Sequence, residues 1–394
     1  MEEKKLVPKR RMSKYSEEWV EKEFNNLGNF GKIYPFSRSV EGVGRFHHIH
    51  YGDIHTKSFG IIENNSKLPT IKVEGSFELA KPGDIVIADA SEDYKDLGKS
   101  VVIGANTNRQ IIAGLHTFKF TPNEQLCPLY YLYYSQTRIF KKFSYKTGTG
   151  ISVFGMSKDN LGKMKLYIPT IEEQQKIGEF FKTLDERIAN QERKIAKGKA
   201  LKAAYLNEMF PQEGEAVPKR RFKGFEGEWE EKSLDEISNI SAGGDIDREG
   251  LSNEGMYPVI ANTFENKGII GYYQNQYKVK APAVTVTGRG DVGFATARFK
   301  NFTPVIRLLV IKSKLDVYFL EQVINNKTLV NESTGVPQLT SPQLGRFVIE
   351  FPTLKEQQKI GKFFKNLDDQ IETEEKKLDK LQKMKEAYLE EMFV

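Results

Sequence analysis

The chain has 394 residues, 59 basic and 53 acidic side chains and a net charge of +6. That length accommodates two domains with sizeable cores, and so mild a basic bias permits a polyanion partner without demanding one. One cysteine, Cys127, excludes a disulfide framework or a cysteine-built zinc site, no apolar run is long enough to cross a membrane, and "MEEKKLVPKRR" does not read as a secretory signal, so a cytoplasmic protein is expected.

The first marker is "VPKRRMSKYSEEWVEK" from Val7, which contains Trp19. Its five-residue "VPKRR" start reads as an exposed linker. The segment after it, 20–168, reads as mixed α and β. "RFHHIHYGDIH" holds four of the five histidines, His47, His48, His50 and His55. Adjacent histidines without a cysteine or an H-E-x-x-H helix argue against zinc and for a structural or nucleic-acid-contacting loop, with Tyr-Gly-Asp as a turn. "GDIVIADA" (83–90) and "KSVVIGA" (99–105) read as strands. The "DLGKS" between them is no phosphate loop, because Asp93 stands where that motif needs glycine. A short aromatic helix, "LYYLYYSQTRIFKKF" from Leu129, leads into a small-residue turn, "KTGTGISVF". Arg138, Lys141, Lys142 and Lys146 there can neutralise phosphates; a solvated helix end over buried Phe140 and Phe143 is an equal reading.

Pro169 and the Thr170–Glu173 capping box then start a helix of about forty residues, roughly 60 Å long. Ile177, Phe181, Leu184, Ile188 and Ile195 recur by fours and threes, the period of a coiled-coil seam, with Gln191 in one slot and Gly198 a weak point. The pattern then begins again. "VPKRRFKGFEGEWEEK" starts at Val217 and contains Trp229, the only other tryptophan. The segment 230–351 carries strands "PAVTVTG" and "PVIRLLVIK", a helix "VYFLEQVIN" and a turn "NESTGVPQL". "GRGDVG" (288–293) follows a strand, but "FATARFKNFTP" after it alternates and meets Pro304, so a glycine-rich hairpin is expected rather than a dinucleotide fold. A second helix starts at Pro352, with Ile360, Phe364, Leu367, Ile371, Leu378 and Leu381 as its stripe. Residues 169–210 and 352–393 share 24 of 42 positions, including "EQQKIG" twice. The frame repeats while the inserts diverge, the second being 27 residues shorter. The expected architecture is α+β: two similar mixed domains joined by two long helices in an antiparallel coiled coil, with a pseudo-two-fold internal repeat.

No methyltransferase tetrapeptide, serine-nucleophile elbow or supported nuclease site is present in the sequence. That leaves a nucleic-acid reader or a coiled-coil scaffold without DNA specificity, with a stand-alone enzyme the weakest reading.

Taken together, "PTIEEQQKIGEFFKTLDERI", "PTLKEQQKIGKFFKNLDDQI", "KRRFKGFEGEW", "HYGDIHTK", "DIVIADASEDYKDLGKS" and "VTVTGRGDVG" resemble the specificity subunit of type I restriction–modification enzymes, nearly end to end. The resemblance implies a first target recognition domain over 1–168, a spacer helix and linker over 169–214, a second recognition domain over 215–351 and a second spacer helix over 352–394. It implies that each domain reads half of a split site in double-stranded DNA, that the helices set the spacing, and that the twin helix starts dock two methyltransferase subunits. Restriction subunits complete the full complex. S-adenosylmethionine would serve the methyltransferase subunits and ATP with magnesium the restriction subunits; this chain would hold neither, carry no metal and catalyse nothing. Side-chain type and context nominate His47, His48, Tyr51, His55, Lys99 and Thr149 as base contacts in the first domain, with the four basic residues from Arg138 to Lys146 on phosphates. In the second they nominate Arg248, Asn262, Arg289, Arg298 and Gln338.

Overall fold

The computed structural model describes residues 7–56, 60–64, 67–107, 109–212, 214–263, 265–327 and 337–394. The chain forms two compact units: Met1–Gln191 with Lys377–Val394, and Glu192–Lys376.

Unit 1 runs β1 (Val20–Glu23), β2 (Gly28–Phe30), β3 (Glu41–Ile49), α1 (Tyr51–Thr56), β4 (Ile61–Ile62), β5 (Thr70–Ile71), β6 (Ile85–Ala88), β7 (Ala90–Ser91), β8 (Ser100–Ile103), β9 (Ile111–Ala113), β10 (Thr117–Pro122), α2 (Pro128–Tyr134), α3 (Arg138–Thr147), β11 (Phe154–Gly155), α4 (Lys158–Gly162), β12 (Lys165–Ile168) and α5 (Ile171–Met209), which continues into unit 2. Its largest sheet has the order β2-β10-β6-β8-β4, beside a β5-β3-β9 sheet and the pairs β1-β12 and β11-β7. The two strands expected at 83–90 and 99–105 are β6 and β8, buried along their whole length as continuous apolar runs should be. Two expectations shift. Tyr-Gly-Asp begins a short helix rather than a turn, because the Asp53 carboxylate accepts from the His50 amide at 3.1 Å. The aromatic segment is two helices rather than one, since the Thr137 hydroxyl accepts from the Phe140 amide at 3.2 Å and starts α3 afresh.

Unit 2 follows with β13 (Glu230–Ser233), α6 (Leu234–Ile237), β14 (Ser238–Ala242), β15 (Tyr257–Ile260), β16 (Ile269–Tyr273), β17 (Ala283–Thr287), β18 (Ala295–Arg298), β19 (Thr303–Pro304), β20 (Leu308–Ser313), α7 (Val317–Asn326), α8 (Ser341–Gly345), β21 (Val348–Phe351) and α9 (Leu354–Glu391), whose C-terminal end belongs to unit 1. Its sheets have the orders β14-β20-β17-β18 and β16-β15-β19, with the pair β13-β21. "GRGDVG" lies in the β17–β18 hairpin, as expected. "PVIRLLVIK" is not one strand: the Leu308 amide donates to the Val305 carbonyl at 3.0 Å, and that turn separates β19 from β20. Most of "NESTGVPQL" lies outside the described residues.

The sheet orders of unit 2 repeat those of unit 1, except that unit 1 adds β4 at one sheet edge and the pair β11-β7. β14, β20, β17 and β18 match β2, β10, β6 and β8, and the parallel pair β15-β19 matches β3-β9. One fold therefore carries two unlike sequences.

Each unit also contains parts of both long helices, running antiparallel. In unit 1 the Phe180 and Tyr388 rings lie 5.1 Å apart and Lys385 Nζ lies 2.6 Å from Asp185 Oδ1. In unit 2 Tyr205 and Phe363 lie 5.0 Å apart and Lys202 Nζ lies 2.7 Å from Asp368 Oδ1. A Cβ at Gly198 would sit 3.2 Å from Ile371 Cγ1, so this glycine admits a close approach of α9. Along the stripes, Ile177, Phe181, Leu184, Ile195, Ile360 and Phe364 are buried, while Ile188, Leu367, Ile371 and Leu378 are half-buried. The leading residues face their own domain as well as a helix: Phe181 stacks on Tyr133 at 5.1 Å and Phe393 at 5.8 Å, and Phe364 lies 5.7 Å from Phe210.

In both copies of "EQQKIG" the Glu, the first Gln, the Ile and the Gly are buried, while the second Gln and the Lys are exposed. The Thr170 hydroxyl accepts from the Glu173 amide at 3.4 Å, but the Glu173 carboxylate does not reach back. It accepts both Arg11 donors, at 2.8 and 2.7 Å, and Glu356 accepts from Arg221 at 2.7 and 2.8 Å. Two charge-assisted bonds at full burial outweigh the single bond a capping box offers. "VPKRR" is thus no loose linker: the Arg11 and Arg221 side chains are only 10% and 16% exposed. The preceding arginines reach the end of the other helix, Arg10 Nε to Glu391 at 2.6 Å and Arg220 to Glu208 at 2.5 Å. Gln174 Oε1 accepts from the Cys127 amide at 2.9 Å, at the start of α2, and Gln357 Oε1 from the Asp316 amide at 3.0 Å, at the start of α7. Gly178 and Gly361 then let those helices sit close; a Cβ would lie 2.7 Å from Leu129 Cβ or 2.4 Å from Asp316 Oδ1.

Arg11→Ala and Arg221→Ala each strand a buried carboxylate and should cost about 3–5 kcal/mol in urea unfolding. The paired change Arg221→Met with Glu356→Leu should cost much less, because it removes both charges together.

Candidate nucleic-acid interface

The nominated residues of unit 1 divide into three groups, on β3, at a surface corner and on α3. His47 and His48 are neighbours on β3 and so point to opposite faces of the strand, His47 half-buried. Burial, with Arg109 nearby, pushes the His47 imidazole down in pKa. His48 is fully buried, its Nε2 3.2 Å from Glu41 Oε1. The second group gathers at a surface corner beyond the end of β6. His55 Nε2 lies 2.9 Å from the Ala90 carbonyl, whose acceptance assigns that nitrogen the proton, and Lys99 Nζ donates to the His55 carbonyl at 3.2 Å. Thr149 pairs with Gly155, which pairs with Ala90. Tyr51 presents its ring edge-on to His116, centroids 5.5 Å apart.

His116 completes this corner and was not among the nominated residues. It occupies the turn between β9 and β10 with φ +56°, and its Nδ1 lies 3.1 Å from Asp89 Oδ1. Burial pushes the Asp89 carboxyl up, against the opposing pull of His116. On α3, Lys142 and Lys146 are exposed and Lys141 half-buried, while Arg138 pairs with Glu390 at 2.7 Å.

Unit 2 brings Asn262, Arg289 and Gln338 to the corresponding corner. The Asn262 side chain spans it: Oδ1 accepts from the Gly288 amide at 2.8 Å and Nδ2 donates to the Ile306 carbonyl at 3.2 Å. Arg289 and Gln338 form a β-bridge, and both are exposed. The group sequence reasoning missed is Arg307, with φ +71°, whose Nη1 donates to Gln338 Oε1 at 2.7 Å. Only β-register reveals either missed residue, since nothing in the local sequence marks a left-handed histidine or arginine. Arg298 is turned inward. Its Nε donates to Thr285 Oγ1 at 2.9 Å and its Nη1 to the Lys267 carbonyl at 2.8 Å, and burial pulls its pKa down to about 10. Arg248 is exposed in the segment after β14.

The register makes the two corners equivalent. Thr117 pairs with Ala88 in unit 1, and Leu308 with Thr287 in unit 2. His116 therefore corresponds to Arg307, and Asp89 to Gly288. Exposed cations, hydroxyls, amides and ring nitrogens at such a corner can meet phosphates and base edges. Among the described residues no cluster of three or more His, Cys, Asp or Glu is placed to hold a metal ion, and no helix is long and apolar enough to cross a membrane.

Asn262→Ala frees the Gly288 amide and the Ile306 carbonyl. Hydrogen exchange at the Gly288 amide should rise about tenfold, the equivalent of one lost hydrogen bond.

The type I restriction modification DNA specificity domain matches residues 17–197 and 226–383. A Mycoplasma pneumoniae protein assigned as a type I specificity subunit is 22% identical over 212 residues, 52% of this chain; the chain spans only 56% of that relative's length. A Methanocaldococcus jannaschii protein assigned as a type I restriction enzyme specificity subunit is 21% identical over 333 residues, covering 78% of this chain and 76% of that one. Among solved structures, the type I restriction–modification S subunit from M. genitalium superposes with a TM-score of 0.69 at 15% identity, covering 98% of this chain and 99% of that one. A chain from a study of complex assembly and conformational transition in a type I system covers 95% of this chain and 97% of its own, with a TM-score of 0.53 at 16% identity.

Proposed function

The chain belongs to the type I restriction–modification DNA specificity family, and from that premise we propose that it is the non-catalytic specificity subunit of such a complex, each unit reading one half of a split site in double-stranded DNA. The observation that carries this is the repeated corner. The same backbone arrangement presents Asp89, Tyr51 and His116 in one unit and Gly288, Arg289, Arg307 and Gln338 in the other. A fold kept constant beneath a changed set of polar tips is what two readers of two unlike half-sites need.

The partners follow from the same reading. Two methyltransferase subunits dock on the long helices and transfer a methyl group to adenine from S-adenosylmethionine; restriction subunits use ATP and magnesium. The buried halves of "EQQKIG" do not serve that docking, because Glu173, Gln174, Glu356 and Gln357 are consumed inside the chain. Docking falls instead to exposed positions beside them, such as Gln175, Lys176, Gln358 and Lys359. The exposed cations Lys142, Lys146 and Arg289 add phosphate contacts, which strengthen binding without selecting sequence.

Mapping adenine methylation across the genome of a host that makes this chain with its methyltransferase subunit tests the reading, with the methyltransferase subunit alone as control. A split motif should appear only with both. Exchanging residues 230–351 for those of another family member should then change one half of that motif. No motif from two soluble partners, or an exchange that alters both halves, would refute two independent readers.

A further inference from the structure

The turn between β9 and β10 and the turn between β19 and β20 share an unusual backbone. Four non-glycine residues among those described have positive φ, and two of them are His116 and Arg307, at equivalent places. Left-handed backbone costs a branched or long side chain about 1–2 kcal/mol. Glycine would fit either turn without that cost. The strained conformation also recurs where the surrounding sequences, "GLHTF" and "VIRLL", have little in common. A cost repeated at one position in two diverged units points to what the side chains do there.

Each side chain is held by one polar neighbour; His116 is exposed and Arg307 is half-buried. Arg307 donates to Gln338 through Nη1, which leaves guanidinium donors for a second acceptor. His116 meets Asp89 through Nδ1, its side chain 50% exposed, which leaves Nε2 for an outside group. A guanidinium fork suits guanine O6 and N7. An imidazole whose Nδ1–H is donated to a carboxylate offers Nε2 as an acceptor, suited to the exocyclic amine of adenine or cytosine.

We propose that the left-handed residue of this turn reads a base in each unit, so that His116 fixes one base pair of the first half-site and Arg307 one base pair of the second. Asp89 and Gln338 are positioning residues that orient them. The proposal rests on the reading of the two units as half-site readers. It adds the position that decides, and it explains why that position is not glycine.

Arg307→Gly is the informative variant, because glycine relieves the backbone and keeps the turn. The full chain, wild type or variant, is assembled with its methyltransferase subunit, and methylation rates are compared over a duplex library varied at every position of the motif. Arg307→Gly should melt no lower than wild type and lose roughly ten- to hundredfold discrimination at one base pair of the second half-site only. His116→Gly should do the same at one base pair of the first. Unchanged discrimination, a uniform fall across all sequences, or a change in the opposite half would each overturn the assignment; the uniform fall would mark a phosphate contact. A wild-type complex with no split motif would instead overturn the underlying reading, so the two failures are told apart.

Discussion

The structure depends on two buried carboxylates. Glu173 and Glu356 are 1% and 0% exposed, and a charge so placed is tolerable only when a partner is held against it. Arg11 and Arg221 are those partners, each delivered by a strand of chain that also fixes the neighbouring arginine on the far end of the other long helix. The pair therefore does more than close a local contact. It fixes where a helix starts, where its neighbour ends and where the domain's first strand begins. Gln174 and Gln357 extend the same junction to a domain helix by accepting from its first amide. Once that junction is fixed, the remaining sequence between β1 and β12, or between β13 and β21, can change as long as it fills the same sheets.

This explains the uneven similarity of the two halves. Residues at the junction are identical because each has a partner of defined geometry. Inside the inserts, only burial and strand order are constrained. "GDIVIADA" and "PAVTVTG" place apolar residues in equivalent strands with few identities, since β-branched and aliphatic side chains substitute for one another in a buried sheet. Freedom is greatest at the corner beyond β6 and β17, where aspartate and glycine occupy the same backbone position.

Much of the frame was legible in the sequence. Self-similarity exposed the repeat, the period of Ile177, Phe181 and Leu184 exposed the helices, and Pro304 after an alternating run exposed the hairpin at "GRGDVG". Long-range pairing was not legible. Arg11 and Glu173 are 162 residues apart, so a basic pentapeptide reads locally as a linker. The same limit separates residue type from role at the corner. Asn262 and Arg298 have the chemistry of base readers, yet their polar atoms meet backbone carbonyls, an amide and a threonine hydroxyl within unit 2. His116 and Arg307 were overlooked because a left-handed backbone at a non-glycine residue has no sequence signature.

Unit 1 is discontinuous in the chain, and that has a consequence for synthesis. Its core includes Leu389, Met392 and Phe393, which pack with Tyr130, Tyr134 and Phe181, residues made more than two hundred positions earlier. Unit 2 is continuous, from Glu192 to Lys376. On a ribosome, where domains generally fold as units as they emerge, the unit begun first is completed last, after the unit begun second already has all its residues. Until residues near 393 leave the exit tunnel, the aromatic face of α2 lacks part of its cover. In a nascent chain of this protein, the faces of Tyr130 and Tyr134 that meet Phe393 therefore stay open until the far end of the second helix arrives.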